Sequence, residues 1–249
     1  MPLSCSHDQS LRFKGKPVNP DEHDRLMNET FRRLAPHYDR LLDVQTLGLH
    51  RYWRRVLVHA AAPHAGQWIL DVAGGCGEMA RRLTAPEREV IVLDSSLPMM
   101  ETGRAKGIDN LTWVAGRSRA LPFPTASMDI VVCAFGVRNV TYIEQSLKEV
   151  FRVLKPGARF FCLEASQPWR PIRPLHHLYC RFVVPLLGCW VTRMPEIYDY
   201  LVNSLIEFPA PDEIKRLFQA VGFVDVAYRP LTLGVVCIHW GAKPHLLEQ

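Results

Sequence analysis

The sequence predicts an α/β fold, a Rossmann-like doubly wound sheet that is mostly parallel and whose last strand runs antiparallel. Three observations predict it. Strand-like apolar runs alternate with helical patterns through the middle of the chain, the first of these runs passes straight into a glycine-rich turn, and the chain closes on two β-like segments joined by a short connection. Alternation of this kind implies parallel strands with helices on both faces, because each return to the sheet needs a crossover.

At 249 residues, 48% of them hydrophobic, the chain is long enough to bury one sizeable core. A polar tail over residues 1–20 precedes what reads as a single domain over 21–249. Helical periodicity covers Asp21–Leu42 and Leu49–Ala62 at the entrance. Strands are expected at Gln67–Ala73, Glu89–Asp94, Leu111–Ala115, Met128–Phe135 and Arg159–Ala165, with helices at Gly77–Leu83, Leu97–Lys106 and Tyr142–Leu154. After Ala165 the alternation breaks into a stretch rich in proline and aromatic residues, Pro168–Glu196. An insertion over 166–210, on the carboxyl side of the sheet, is expected to form a lid over a ligand crevice. A helix near Asp212–Val221 and strands Val224–Arg229 and Gly234–Lys243 complete the chain, and the short spacing around Pro230 pairs the last two strands antiparallel.

Composition narrows the function classes. A formal charge of +5 is spread along the chain without a dense basic run, which argues against nucleic-acid binding. The longest apolar runs, such as Phe182–Leu187 and Met128–Val137, fall short of the roughly 20 residues that span a bilayer, so a soluble or peripheral protein is expected. Seven cysteines occur in odd, unpatterned spacing, with Cys133, Cys162 and Cys237 inside strand-like runs, and the N-terminal residues lack an apolar leader. Reduced thiols and a cytoplasmic location are the expectation. No cluster with metal-ligand spacing is present in the sequence, and none is expected to bind metal.

The sharpest motif is Ile69-Leu70-Asp71-Val72-Ala73-Gly74-Gly75-Cys76-Gly77-Glu78, a buried strand entering a glycine-rich turn. Glycines are needed where a backbone turns tightly and approaches a ligand, leaving N–H groups aimed into the crevice. Asp94 ends the next strand, nineteen residues after Gly75, where a carboxylate takes both hydroxyls of an adenosine ribose. A dinucleotide is the competing ligand. Against it, the loop reads Gly-Gly-x-Gly rather than G-x-G-x-x-G, and Asp71 suits a cofactor amino group or its bound water better than a pyrophosphate. S-adenosylmethionine is therefore the expected cofactor, with Asp71, Gly74, Gly75, Gly77, Asp94, Ser95, Arg117 and Ser118 as candidate binding residues.

From about Phe31 to Lys243 the chain resembles the UbiE/COQ5 (MenG) C-methyltransferases of ubiquinone and menaquinone biosynthesis. The resemblance is carried by Ala35-Pro36-His37-Tyr38-Asp39, Leu47-Gly48-Leu49-His50-Arg51-Tyr52-Trp53, the Asp71–Glu78 loop, Phe135-Gly136-Val137-Arg138-Asn139-Val140, Tyr198-Asp199-Tyr200-Leu201 and Gly234-Val235-Val236-Cys237-Ile238-His239-Trp240-Gly241. Ala120-Leu121-Pro122-Phe123-Pro124 and Arg152-Val153-Leu154-Lys155-Pro156-Gly157 also fit, but these pieces are shared by many methyltransferases. The resemblance implies the class I methyltransferase fold, methyl transfer from S-adenosylmethionine to a ring carbon, and a lipophilic quinol as acceptor. Peripheral membrane contact, a quinone-biosynthesis complex and a homodimer are compatible partners. Four positions depart from the family pattern: Arg117 stands where Asn or Asp usually meets the adenine amino group, Ser95 where an apolar residue packs on adenine, Cys76 for Thr, and Ala134 for Ser. A guanidinium only donates, so Arg117 is expected to turn outward or pair with a carboxylate.

Methyl transfer to carbon needs alignment of donor and acceptor and an electron-rich acceptor. A phenol with a pKa of roughly 10 calls for a base or for a cation that stabilises phenolate. Arg138 is the first candidate, His239 the alternative base, and Glu164 the group that orients Arg138 or a water. Tyr38, Asn139, Tyr198 and Tyr200 are expected to line the acceptor pocket. Trp169–Trp190, with basic side chains among apolar ones, reads either as a lid packed on the core or as an interfacial segment. Two other readings stay open at this point: the same fold acting on another phenolic acceptor or doing non-methyl chemistry, and a non-catalytic scaffold paralogue.

Overall fold

The computed structural model of the chain describes residues 12–13, 16–17 and 19–245, so most of the polar tail expected over 1–20 lies outside the described residues. Seven strands, β1 (Trp68–Val72), β2 (Glu89–Asp94), β3 (Leu111–Ala115), β4 (Met128–Ala134), β5 (Leu154–Ala165), β6 (Val224–Leu231) and β7 (Val236–Ala242), form one sheet. Their spatial order is β3-β2-β1-β4-β5-β7-β6. β1 pairs in parallel with both β2 and β4, whereas β7 runs antiparallel to β5 and β6, as the sequence predicts. The chain order reverses direction between β1 and β4, and a crevice opens there at the carboxyl ends of the strands.

Alternation along the strands separates two cores. Leu70, Ile91, Leu93, Val131, Cys133, Phe160 and Cys162 face α5 (Ile143–Val153) and α9 (Pro211–Val221), while Ile69, Val90, Val92, Ile130, Val132 and Phe161 face α3 (Leu49–Ala61). A third, helical core joins Met27 and Leu34 of α1 (Pro20–Leu34) and Leu41 of α2 (Tyr38–Gln45) to Met194, Tyr198, Tyr200 and Leu201. The insertion supplies Met194 from the link between α7 (Val184–Thr192) and α8 (Tyr198–Ile206) and the other three from α8, after a short α6 (Arg173–Leu178) and a π-helical turn at Tyr179–Val183.

Three elements differ from the sequence expectation. Asp21–Leu42 is not one helix: a 3₁₀ turn at Ala35–His37 holds Pro36, which has no N–H to continue the ladder, and separates α1 from α2. Gly77–Leu83 is a series of turns ending in a 3₁₀ turn at Ala80–Arg82. The cause is local: Gly77 sits at φ +74°, and the Ala80 N–H is captured by Asp71 Oδ2 at 3.0 Å instead of a carbonyl one turn back. β5 begins at Leu154, earlier than expected, because Leu154 already pairs with Met128 across an irregular register.

Candidate active site

The crevice measures about 880 Å³ with its open mouth. Its floor is built from the loops that leave β1 and β4. Ala73 (φ 55°) and Phe135 (φ 62°) line it in left-handed conformations that cost a non-glycine residue about 1–2 kcal/mol. Strain of this order persists where the surrounding fold fixes the backbone, and both residues sit at the ends of buried central strands. Gly75 (φ +54°) lines the same floor, and a Cβ there would stand 3.0 Å from Met99 Cε. A side chain would narrow the floor from the loop side.

Asp94 stands on the crevice wall at the end of β2, with Oδ2 accepting the Gly75 N–H and Oδ1 the Ser96 N–H, both at 2.8 Å. Burial raises its pKa, and the backbone N–H groups oppose that shift. Each carboxylate oxygen has a second lone pair, so the wall retains acceptor capacity. Ser96 Oγ lies beside it, buried and unpartnered. Ser95 Oγ donates to Asn28 Oδ1 at 3.0 Å, and Ser118 Oγ shares a hydrogen bond with Ser146 Oγ at 2.8 Å. Arg117 pairs with Asp24 Oδ2 at 3.4 Å, the carboxylate pairing expected from its place in the sequence. Ser95, Ser118 and Arg117 all line the crevice.

Asp71, Gly74 and Gly77 lie behind that surface rather than on it. Asp71 is fully buried under the loop, its Oδ1 has no partner, and burial pushes its pKa up to about 7. It holds the loop's shape through Ala80. Gly74 packs over that carboxylate, and Gly77 faces the Trp113 ring.

Tyr38 and Asn139 also line the crevice, and the Tyr200 hydroxyl donates to Asn139 Oδ1 at 3.2 Å. Arg138 is adjacent but folded back from the lining: its Nη1 donates to Glu164 Oε1 at 2.6 Å, and its backbone N–H donates to Glu164 Oε2 at 3.2 Å. Glu164 Oε1 also accepts the Ala165 N–H at 2.8 Å. Burial works to lower the Arg138 pKa, but the Glu164 carboxylate overrides it and holds the guanidinium above its ordinary value. Arg138 Nε is buried without a partner. Burial raises the Tyr38 pKa and pushes Tyr200 up to about 12, with Arg138 opposing both shifts.

Beyond Asp71, Gly74 and Gly77, two expected site residues lie off the crevice altogether. His239 pairs across the sheet with Cys162 and therefore faces α9, where its ring lies 6.4 Å from Phe218 and its Nε2 donates to the Pro211 carbonyl at 3.2 Å. Burial drives its pKa down to about 4, and it does not line the crevice; it is a core histidine. Tyr198 is likewise a packing residue: its hydroxyl bonds Thr192 Oγ1 at 2.8 Å, and its ring fills the space left by Gly188.

The ubiE/COQ5 methyltransferase family matches residues 19–243, nearly the whole of the described chain. The chain belongs to this family. The UbiE ubiquinone/menaquinone biosynthesis C-methyltransferase of Rubrivivax gelatinosus is 40% identical to it, over 94% of this chain and 93% of the relative. Its fold is shared with an S-adenosylmethionine-dependent methyltransferase from Thermotoga maritima, with a TM-score of 0.61 at 18% identity over 87% of this chain and 99% of that one. It is shared also with phosphoethanolamine N-methyltransferase 2 of Haemonchus contortus, solved with S-adenosylmethionine, with a TM-score of 0.58 at 12% identity over 77% of this chain and 52% of that one.

As a member of this family the chain is an S-adenosylmethionine-dependent methyltransferase. Its crevice fits that group: Gly75 leaves the floor open, Asp94 presents a carboxylate, and Ser96 Oγ is an unsatisfied hydroxyl on the wall. Sequence reasoning missed the contribution of α1, which lines the crevice with Asp24, Met27, Asn28 and Phe31. The signal was present in the spacing, since these four share one helix face and Asp24 and Asn28 interrupt its apolar stripe. Also missed was Arg54, buried on α3 with its Nη1 donating to His50 Nδ1 and its guanidinium 5.2 Å from the Phe135 ring centre.

Proposed function

We propose that the enzyme methylates a ring carbon of a polyprenyl benzoquinol or naphthoquinol, with the Asp94 end of the crevice holding S-adenosylmethionine and the Tyr38–Asn139 end taking the acceptor. The observation that carries this reading is the buried Arg138–Glu164 pair, joined at 2.6 Å directly behind the acceptor end. The bound cofactor supplies an electrophilic methyl group. The protein's part is to expel water, align the ring carbon with that group and favour loss of a phenolic proton. Arg138 presents a fixed positive charge toward Tyr38 and Tyr200, and a phenolate replacing a neutral phenol there gains attraction without reorganising the site. Glu164 holds the guanidinium in place and keeps it protonated.

The departure from the family pattern at Arg117 is compatible with this reading, because its guanidinium is engaged by Asp24. Residues 21–249 act in this reading as one domain, with the 166–210 insertion capping the acceptor end through the Tyr200–Asn139 bond. The acceptor's tail places the enzyme at a membrane surface in the cytoplasm, either alone or within a quinone-biosynthesis assembly.

Single-turnover methylation of a reduced demethylquinol at saturating cofactor tests the reading. Arg138→Ala is expected to slow turnover about a hundredfold to a thousandfold while leaving cofactor affinity within about twofold. Arg138→Lys should recover little, since an ammonium lacks the planar fork that donates to Glu164 Oε1 and to the developing oxyanion at once. Wild-type rates in the alanine variant would remove Arg138 from the mechanism, and a wild type that methylates no demethylquinol would reject the acceptor class.

A further inference from the structure

Among the described residues, Trp169, Leu175, Leu178, Phe182, Leu186 and Trp190 are large apolar side chains left exposed within one stretch, residues 166–195. The last four recur every fourth residue, and their exposures are 55%, 61%, 70% and 68%. Offset by two positions, Cys180, Val184, Gly188 and Thr192 also recur every fourth residue and are buried. At about 100° per residue an offset of two is about 200°, so the two rows lie on opposite sides of the same helical rod. The inner row packs against α8, where Gly188 admits the Tyr198 ring. The outer row faces solvent.

Charge decides what covers it. Residues 166–195 carry Arg170, Arg173, Arg181 and Arg193 and no Asp or Glu. Arg170, Arg181 and Arg193 are exposed, and Arg40 of α2 adds its guanidinium 5.2 Å from the Trp190 ring centre. A second copy meeting this face about a two-fold axis would bring the same arginines together, like charge against like. An anionic lipid surface instead offers acyl chains to the apolar row and phosphates to the arginines.

We propose that the α6–α7 face docks on an anionic bilayer, with Phe182, Leu186 and Trp190 entering the headgroup boundary and Arg170, Arg181 and Arg193 binding lipid phosphates. The consequence for catalysis rests on the polyprenyl-quinol reading: the inner side of the same cap reaches the crevice through Tyr200 and Asn139, so docking sets the acceptor end against the layer that holds the tail.

The full chain is tested by co-sedimentation with vesicles of phosphatidylcholine alone and of phosphatidylcholine with phosphatidylglycerol. Binding to the anionic vesicles is expected to be at least about tenfold stronger, and to fall by a similar factor in Phe182→Ser/Leu186→Ser/Trp190→Ser and at high salt. Arg170→Gln/Arg181→Gln/Arg193→Gln should lose the preference for anionic lipid while remaining folded. Both variants should still bind S-adenosylmethionine and methylate a short-chain, water-soluble demethylquinol at wild-type rates, but lose activity on a long-chain demethylquinol held in vesicles. Equal, weak binding of the wild type to both vesicles would overturn the proposal, as would a dimer in sedimentation that the serine variant dissociates. Vesicle binding without methylation of either quinol would support docking and reject the quinol reading.

Discussion

Asp71 shows how a residue beneath the site shapes it. One of its oxygens fixes Ala80 and with it the turn after Gly75, while the other is buried without a partner. Burial lifts its pKa from the ordinary value of 3.8 to about 7. Between those values the folded chain retains a proton that the unfolded chain has lost. Its stabilising effect is therefore full below the unfolded value and lost as pH rises through about 7. At its full extent the difference is on the order of 4 kcal/mol. Asp71→Asn keeps an acceptor for the Ala80 N–H and removes the titration. Its thermal midpoint should change less than that of the wild type between about pH 4 and about pH 7, where the folded chain holds this proton and the unfolded chain does not. Parallel midpoint curves for the two proteins would show that Asp71 is not protonated in the folded state. The position of Asp71 at a strand end is legible in the sequence, but its role is not, because strand periodicity does not reveal which oxygen finds a donor. For the same reason His239 reads as a candidate base: alternation assigns it to one face, and only its register with Cys162 shows that the face belongs to α9.

At the scale of elements, the five parallel strands and the antiparallel close are legible because each is an apolar run bounded by turn residues. The helix expected after the glycine turn fails because a side chain from another element takes its hydrogen bond. Packing between α4 (Leu97–Arg104) and β3 is a second case that local sequence does not show. Gly103 lies inside α4, where alanine is favoured by about 1 kcal/mol. A Cβ there would strike the Trp113 ring and stand 2.8 Å from the Cys76 carbonyl oxygen. Overpacking commonly costs about 1–3 kcal/mol, and backbone atoms on one side leave little room to relax. Steric cost should therefore exceed the propensity gain, and Gly103→Ala should lower the unfolding free energy by about 1–2 kcal/mol in denaturant titration. Trp113→Leu in the same background should restore part of the loss by vacating the ring's space. A Gly103→Ala variant more stable than the wild type would mean that Trp113 and the loop repack freely.

The whole molecule divides its ligand wall between a rigid sheet and a helical cap. β1 and β4 lie in the middle of the sheet, buried on both faces, whereas α1 reaches the crevice from outside it. Asp24 ties α1 across the opening by pairing with Arg117 and Arg119, each at 3.4 Å, and by accepting the Thr141 hydroxyl. Partly exposed ion pairs contribute about 0–1 kcal/mol each, and a hydrogen bond to a charged group about 1.5–3 kcal/mol. Removing the carboxylate should thus weaken the tie by about 2–4 kcal/mol, enough to raise the open population of α1 by more than about tenfold without unfolding the sheet. The expected result for Asp24→Ala is faster amide hydrogen exchange over residues 20–34, with the amides of β1 and β4 unchanged. Saturating S-adenosylmethionine should slow exchange in α1, because Asn28 and Phe31 form part of the wall that the ligand meets. A carboxylate that only decorated the surface would leave α1 exchange at its wild-type rate. Equal acceleration in α1 and in the central strands would show that cap and sheet open as one unit, so that the crevice cannot admit a ligand by moving α1 alone.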